Sequence, residues 1–406
     1  MASVNTMRQA SCRHRPGAVI TFFMIDVRRP DSVTPFYPKG RRFRAAIGVM
    51  PNYYWRGPVP DMGVVGYDSY TGLSDNKDKN GAVVVASSNN NQNQGDAMRI
   101  IAGLMALVCM PLFAQEIGHL NRTIETLEND KPVFGIFTAD FSLTNARALA
   151  GSDLDYIFID MEHSPFNPET LRAFLLGMTD KARILEKGSV QMNVTPLVRI
   201  PMYGRENLQF LVKQVLDVGA FGIVFPFIST EEQAINAVAS MRYPQQRGDA
   251  APDPRGLRGA SPGLATWFWG TADYMRRADV WPLDPAGDLL AVLQIESVEG
   301  VENIEDIAAV PGVGAIFIGP FDLSISYGVM GQSDHPELVA GMKRVLAACK
   351  ANNIPCGLTT NAATVERYLE EGYTFVTVGY WNDAGISSAP ADALKVGRRA
   401  SGRSDD

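Results

Sequence analysis

Two carboxylates at the ends of apolar runs are the first residues in this chain that could do chemistry. The run 289–295 (LLAVLQI) delivers Glu296, and the run 315–318 (AIFI) breaks at Gly319-Pro320 and delivers Asp322. Acids just past the C-terminal ends of neighbouring strands lie where α/β enzymes gather their functional groups. Such a pair of oxygen donors suits a hard divalent cation, Mg2+ or Mn2+, which keeps its other positions for water and substrate. The same placement also serves a helix cap or an ion pair, so the two acids alone leave both readings open. Two further stretches bear on the choice: Asp160-Met161-Glu162-His163, at the end of 156–161, and Arg199-Ile200-Pro201, at the end of 196–200. A histidine beside carboxylates carries protons near neutral pH. A guanidinium grips a carboxylate or an enolate oxygen with a fork that lysine lacks. Singly, a strand-end histidine is often structural, and Arg199 could be an ion-pair partner. Jointly, with a cation, they suit proton or carbon–carbon chemistry next to a carbonyl.

The elements that must hold these residues show in the periodicity. Between the two acid-bearing runs, Val301, Ile304, Ile307 and Ala308 recur at helical spacing. That makes a strand–helix–strand unit of roughly thirty residues. Strands are expected at 133–138, 156–161, 196–200, 222–227, 290–295, 315–318, 356–359 and 375–379. Thr230 with Gln233 forms a capping box ahead of one helix. Leu208, Leu211, Val212, Val215 and Leu216 follow helical spacing, as do Leu338, Met342, Val345, Leu346 and Cys349. Eight strands alternating with helices over about 250 residues predict an α/β TIM (β/α)8 barrel at 132–383, with those strand ends at one mouth. A doubly wound open sheet is the alternative, but its glycine-rich first turn is absent. One insertion, 243–288, is rich in Pro, Gly, Arg and Trp; a connection that long predicts a lid or a subunit contact.

Composition sets the bounds. With 406 residues, 46% of them hydrophobic and 20% charged, the chain can bury a large core. A net charge of -7 leaves no basic footprint, which argues against nucleic acid as a partner. Cys12, Cys109, Cys349 and Cys356 show neither C-x-x-C nor zinc spacing, and His14, His119, His163 and His335 are too dispersed for a histidine-rich cluster. Residues 1–97 have no sustained apolar period and include SSNNNQNQGD at 87–96, the composition of a disordered or non-native extension. Met98-Arg99, the apolar stretch IIAGLMALVCMPLFA and the polar residues after Ala114 then give 98–114 the layout of a secretory signal peptide. It is shorter than the ~20 residues of a membrane span. The expectation is a true start at Met98 and a periplasmic or secreted protein; a start at Met1 implies a cytoplasmic one. Cys109 lacks the small residues that precede a lipoprotein cysteine, so no stable membrane anchor is expected. A short polar lead-in helix is expected at 115–131, and a weakly helical tail at 384–406.

The pieces IDMEHSPFNPETL, PLVRIP, VLDVGAFGIVFPFISTEEQA, MRYPQ with RGLRG, LQIES and FIGPFDLSISYGVMGQSDHPEL resemble the HpcH/HpaI aldolase family over roughly 132–380. The resemblance implies a TIM barrel and a class II, metal-dependent aldolase. Such an enzyme splits a 4-hydroxy-2-oxo acid reversibly into pyruvate and an aldehyde, its small-molecule partners. Carried over by motif, Glu296 and Asp322 would ligate Mg2+, Mn2+ or Co2+. His163 would be the acid/base, Asp160 its orienting partner, and Arg199 the contact to the keto-acid oxygens. Gln294 falls close to bound pyruvate, and backbone amides from Gly319 through Pro320 to Asp322 would receive the substrate carboxylate. No lysine stands at a strand end for a Schiff base. A homo-oligomer, trimer or hexamer, is implied as well. The chain departs from the family pattern where 245–254 stretch the loop before Arg258-Gly259, in the Trp-rich segment that follows, and at Tyr380-Trp381-Asn382. Two alternatives stay open. One is a citrate-lyase-like or malyl-CoA-type lyase with a basic surface at Arg255, Arg258, Arg276 and Arg277. The other is a non-catalytic periplasmic keto-acid-binding protein, which would have no need of a proton carrier.

Overall fold

The computed structural model describes residues 4–13, 19–27, 118–202, 209–251, 253–381 and 388–403, in two compact units, Met1–Gln115 and Glu116–Asp406. In the first unit, β1 (Val4–Arg13) and β2 (Val19–Val27) pair antiparallel. The rest of 1–97, including the polar run 87–96, lies outside the described residues, as does the signal-like segment 98–114.

The second unit is a ring of parallel strands. Its members are β3 (Val133–Thr138), β4 (Tyr156–Asp160), β5 (Thr195–Arg199) and β6 (Gly222–Phe225), followed by β8 (Leu289–Ile295), β9 (Ala315–Ile318), β10 (Cys356–Leu358) and β11 (Phe375–Trp381). A short β7 (Val280–Trp281) lies alongside β8. β11 returns to pair with β3. The ring closes between β10 and β11 through a Thr359–Thr377 bridge, with Thr360 N donating to Thr377 O at 2.7 Å and Thr374 N to Cys356 O at 3.0 Å. All eight expected strands are present. β3 to β6, β8, β9 and β10 are buried along their whole lengths, which is why they read as continuous apolar runs rather than alternating ones. Aromatic rings fill the interior: Phe158 meets Phe137 and Phe317 edge-on at 4.9 and 5.3 Å, and Tyr156 stacks on Phe375 at 4.5 Å. The barrel is a packed core with its functional groups at one end.

Helices wrap this core: α1 (Arg122–Glu128), α2 (Leu143–Ala150), α3 (Pro168–Gly177), α4 (Lys181–Lys187), α5 (Gln209–Asp217), α6 (Glu231–Met241), α7 (Gly263–Trp269), α8 (Tyr274–Arg277), α9 (Val298–Glu302), α10 (Ile304–Ala308), α11 (Pro320–Ser326), α12 (Pro336–Ala351), α13 (Val365–Glu371) and α14 (Ser388–Ala400). The capping box at α6 is half formed. Thr230 Oγ1 accepts from Gln233 N, while Gln233 Oε1 accepts from Ser229 N at 2.7 Å, one residue before the cap.

Of the two expectations for the insertion 243–288, a lid or a subunit contact, its place in the barrel opposes the lid. The insertion joins the end of α6 to the start of β8, which places it at the N-terminal ends of the strands, away from the mouth. It carries α7, α8 and β7 and is packed like core. Trp269 stacks on Phe221 at 4.3 Å and donates to Gly219 O at 2.8 Å. Arg242 grips Asp279 at 2.6 and 2.9 Å, and buried Arg258 reaches Asp217 at 3.0 Å and Tyr274 Oη at 2.7 Å. The C-terminal stretch is also more ordered than a weakly helical tail. α14 packs on α13 and β11, and beyond it Arg403 pairs with both oxygens of buried Asp155 at 2.8 Å.

Candidate active site

At the mouth, strand register decides which side chains meet. Asp160 and Arg199 end adjacent strands and lie opposite one another in the β4–β5 ladder. Arg199 Nε donates to Asp160 Oδ1 at 3.0 Å and Nη2 to Oδ2 at 2.6 Å, while Nη1 lies 3.2 Å from Glu162 Oε2. The guanidinium also stacks over the Phe137 ring, 4.6 Å from its centroid. Burial works against the charge on Arg199, but the hydrogen bonds and charge of Asp160, with Glu162 and Glu296 beyond, override it and hold the proton more tightly than usual.

Asp160 was expected to orient His163, and here the geometry differs. Its Oδ1 accepts the backbone N–H groups of Glu162 (3.1 Å) and His163 (3.3 Å), and both its oxygens face Arg199. The carboxylate that reaches the His163 ring is Glu162, whose Oε2 lies 3.7 Å from Nε2. That ring is 62% exposed, at the rim of the mouth. Glu162 stood in the quoted motif without a role, and its position two residues after a strand-end acid was the available signal. Nothing in the sequence marked Phe137 as the platform beneath Arg199.

Glu296 follows β8 and is almost wholly buried. Gln294, two residues earlier and on the same side of the strand, donates Nε2 to Glu296 Oε1 at 2.7 Å. Phe227 N donates to Oε2 at 3.2 Å, from a left-handed backbone with φ 55° that ends the expected strand two residues early. On the other side Gly319 is in close contact: a Cβ there would lie 2.3 Å from Glu296 Oε1. Burial pushes the Glu296 carboxyl up to about 8, aided by the charges of Glu162 and Asp322 and opposed by Arg199 and the Phe227 amide. Burial likewise raises Glu162, against the pull of Arg199 and His163 and with the push of Asp160 and Asp322. Asp322 stands in the first turn of α11. Thus Glu162, Glu296 and Asp322 act on one another across a shared space. Among the backbone groups expected to receive a carboxylate, Gly319 N is bonded to Ile295 O at 3.1 Å and Pro320 has no N–H. The amides of Phe321 and Asp322 are left for that role.

Among the described residues no three His, Cys, Asp or Glu side chains form a ready metal cluster. The pair Glu296 and Asp322 still fits a hard cation, which needs only one or two protein carboxylates. Gln294 Oε1 is buried without a hydrogen-bond partner, so one acceptor of the site waits for a donor. Residues 203–208 and 382–387 lie outside the described residues.

The profile of the HpcH/HpaI aldolase/citrate lyase family matches residues 134–386. The chain is similar to the 5-keto-4-deoxy-D-glucarate aldolase of Escherichia fergusonii, 36% identical over 245 residues that cover 60% of this chain and 82% of that protein. The protein of the same name from Citrobacter koseri is 35% identical over 258 residues, covering 62% and 87%. Among solved structures, an HpcH/HpaI aldolase/citrate lyase family protein from Burkholderia cenocepacia superposes with a TM-score of 0.54 at 32% identity, covering 64% of this chain and 93% of that one.

Proposed function

The chain belongs to the HpcH/HpaI aldolase/citrate lyase family and is a carbon–carbon lyase, and on that premise we propose that it splits a 4-hydroxy-2-oxo acid reversibly into pyruvate and an aldehyde. The name shared by the relatives, 5-keto-4-deoxy-D-glucarate aldolase, supports a keto-deoxy sugar acid as the substrate class. The observation that carries the reading is the gathering of Arg199, fixed by Asp160, with Glu162, Glu296 and Asp322 around one space, and His163 at its rim.

Glu296 and Asp322 would hold a divalent cation, Mg2+, Mn2+ or Co2+, which when bound polarises the 2-oxo group. The rest of the chemistry belongs to the chain's own side chains. His163 takes the proton of the substrate 4-hydroxyl, with Glu162 holding its ring. The C3–C4 bond breaks, its electron pair passes into the pyruvate enolate, and the aldehyde departs. Arg199, already locked by Asp160 and Phe137, meets the growing negative charge on the 2-oxo oxygen without reorganising. Return of a proton to C3 gives pyruvate. The amides of Phe321 and Asp322 receive the carboxylate, and Gln294 Oε1 accepts a hydrogen bond from the bound acid or its water.

Of the four arginines expected to form a CoA-binding surface, Arg255 and Arg276 are exposed and the other two are not. Arg258 and Arg277 are buried in ion pairs with Asp217 and Asp288, in the insertion at the N-terminal ends of the strands. The test needs no choice of aldehyde. The full chain is incubated with pyruvate in D2O and Mn2+ or Mg2+, and the methyl proton signal is followed. Exchange that stops with a chelator and in Glu296→Ala is expected. Absence of exchange in the metal-loaded wild type would refute enolisation at this site.

A further inference from the structure

Cys349 and Cys356 are buried, at 0% and 2% exposure, and the proposed chemistry makes no use of them. Cys349 lies in the last turns of α12 and Cys356 opens β10, seven residues on. Their Cα atoms are 5.9 Å apart and their sulfurs are joined. That separation is one a disulfide spans without moving the backbone. The bond also falls where the barrel is thinnest. β10 has only three residues, and its seam with β11 rests on one bridge and a few hydrogen bonds. At Gly357 the two strands run too close for a side chain, since a Cβ there would lie 1.6 Å from Phe375 O. A covalent tie from β10 to α12 restrains the strand that neighbouring strands hold least.

Disulfides form and persist in oxidising compartments and are rare where thiols are kept reduced. The sequence points to the same place independently. The signal-like segment 98–114 ends at Ala114, and the compact unit that contains the barrel begins at Glu116. We propose that the barrel is an exported protein, cut after Ala114 and oxidised at Cys349–Cys356 beyond the membrane. In the oxidation, two thiols lose two protons and two electrons to a disulfide-bearing thiol oxidase, which leaves as a dithiol.

The test expresses the gene in a Gram-negative host from Met1 and, separately, from Met98. Cells are fractionated, and free thiols are alkylated in denaturant without reductant. Export of a chain beginning at Gln115 is expected, with Cys349 and Cys356 unalkylated. Trypsin cuts after Lys350, so the two cysteine-bearing peptides remain together only through the disulfide. Reduction should separate them and lower the melting temperature by about 5 °C, the scale for closing a loop this short. A Cys349→Ala/Cys356→Ala double variant, which leaves neither thiol of the pair, should show the same lowered melting temperature and still be exported. A barrel found only in the cytoplasm with 98–114 attached overturns the export. Alkylation of both cysteines in exported protein overturns the disulfide.

Discussion

Asp160 and Arg199 form a two-pronged ion pair across the β4–β5 register, at 3.0 and 2.6 Å, with side chains 0% and 7% exposed. A charge buried this deeply depends on its partner. Asp160→Asn keeps the shape and removes the charge, leaving Arg199 with Glu162 at 3.2 Å and the more distant charge of Glu296. Losing one member of a buried pair costs about 3–5 kcal/mol. The variant should therefore be strongly destabilised in urea unfolding, and its loss of activity should follow loss of fold. A change below about 1 kcal/mol would show that the pair does not secure the mouth.

Glu162→Gln should behave in the opposite way. The Glu162 carboxyl is raised by burial, so the folded state binds its proton more tightly than the unfolded state. Its contribution to stability is present at low pH and lost as pH rises through the folded value. A neutral, isosteric side chain removes that penalty while Asp160 still holds Arg199. The expected result is unchanged or higher stability at neutral pH with kcat/KM lower by roughly 10–100-fold, because His163 loses its carboxylate. A variant as active as wild type would exclude Glu162 from positioning His163.

Gly319→Ala tests the closeness of β9 to Glu296. The added methyl would lie 2.3 Å from Oε1 and 2.8 Å from Cγ, so the Glu296 side chain must move. Displacing a reacting group by about an ångström costs on the order of 100-fold in rate. We expect that loss, with a melting temperature near wild type and weaker Mn2+ binding by titration calorimetry. Unaltered metal affinity would detach Glu296 from the cation.

The scaffold was legible in the sequence because parallel strands covered on both faces read as continuous apolar runs. Glu296 and Asp322 were legible because they stand where such runs stop. Partner choice was not. Whether Asp160 serves His163 or Arg199 depends on the register between β4 and β5, and the Phe137 ring beneath Arg199 arrives from β3. β7 has two residues, too few to show a period. The anchoring of the C-terminal stretch rests on Arg403 and Asp155, 248 residues apart, a contact no local pattern encodes.

His119 ties the lead-in segment to the insertion. Its Nδ1 lies 2.9 Å from Asp288 Oδ1 and its Nε2 3.3 Å from Glu128 Oε2, while Arg277 holds Asp288 Oδ2 at 2.7 Å. Burial alone would lower this histidine, but the Asp288 hydrogen bond and charge, with Glu128, raise it above its usual value of 6.5. Its contribution to stability is thus complete below 6.5 and fades as pH rises through the raised value. The melting temperature of wild type should fall more than that of His119→Asn between about pH 6 and pH 8. Equal slopes in the two proteins would show that this contact carries no charge.

Trp269 separates a structural insertion from a lid. Its ring lies flat on Phe221, its indole N–H reaches Gly219 O at 2.8 Å, and Tyr274 meets it edge-on at 4.7 Å. Every one of these contacts is at the end of the barrel away from Glu296. Removing a buried indole costs about 3–5 kcal/mol through lost contacts and the cavity left behind. Trp269→Ala should therefore lower the urea midpoint sharply, while kcat/KM per folded molecule stays within about twofold, since cost at one end need not reach the other. A tenfold fall in kcat/KM of the folded protein would mean that the insertion communicates with the mouth. It would then act on the chemistry from the far side of the core, a role its connectivity does not suggest.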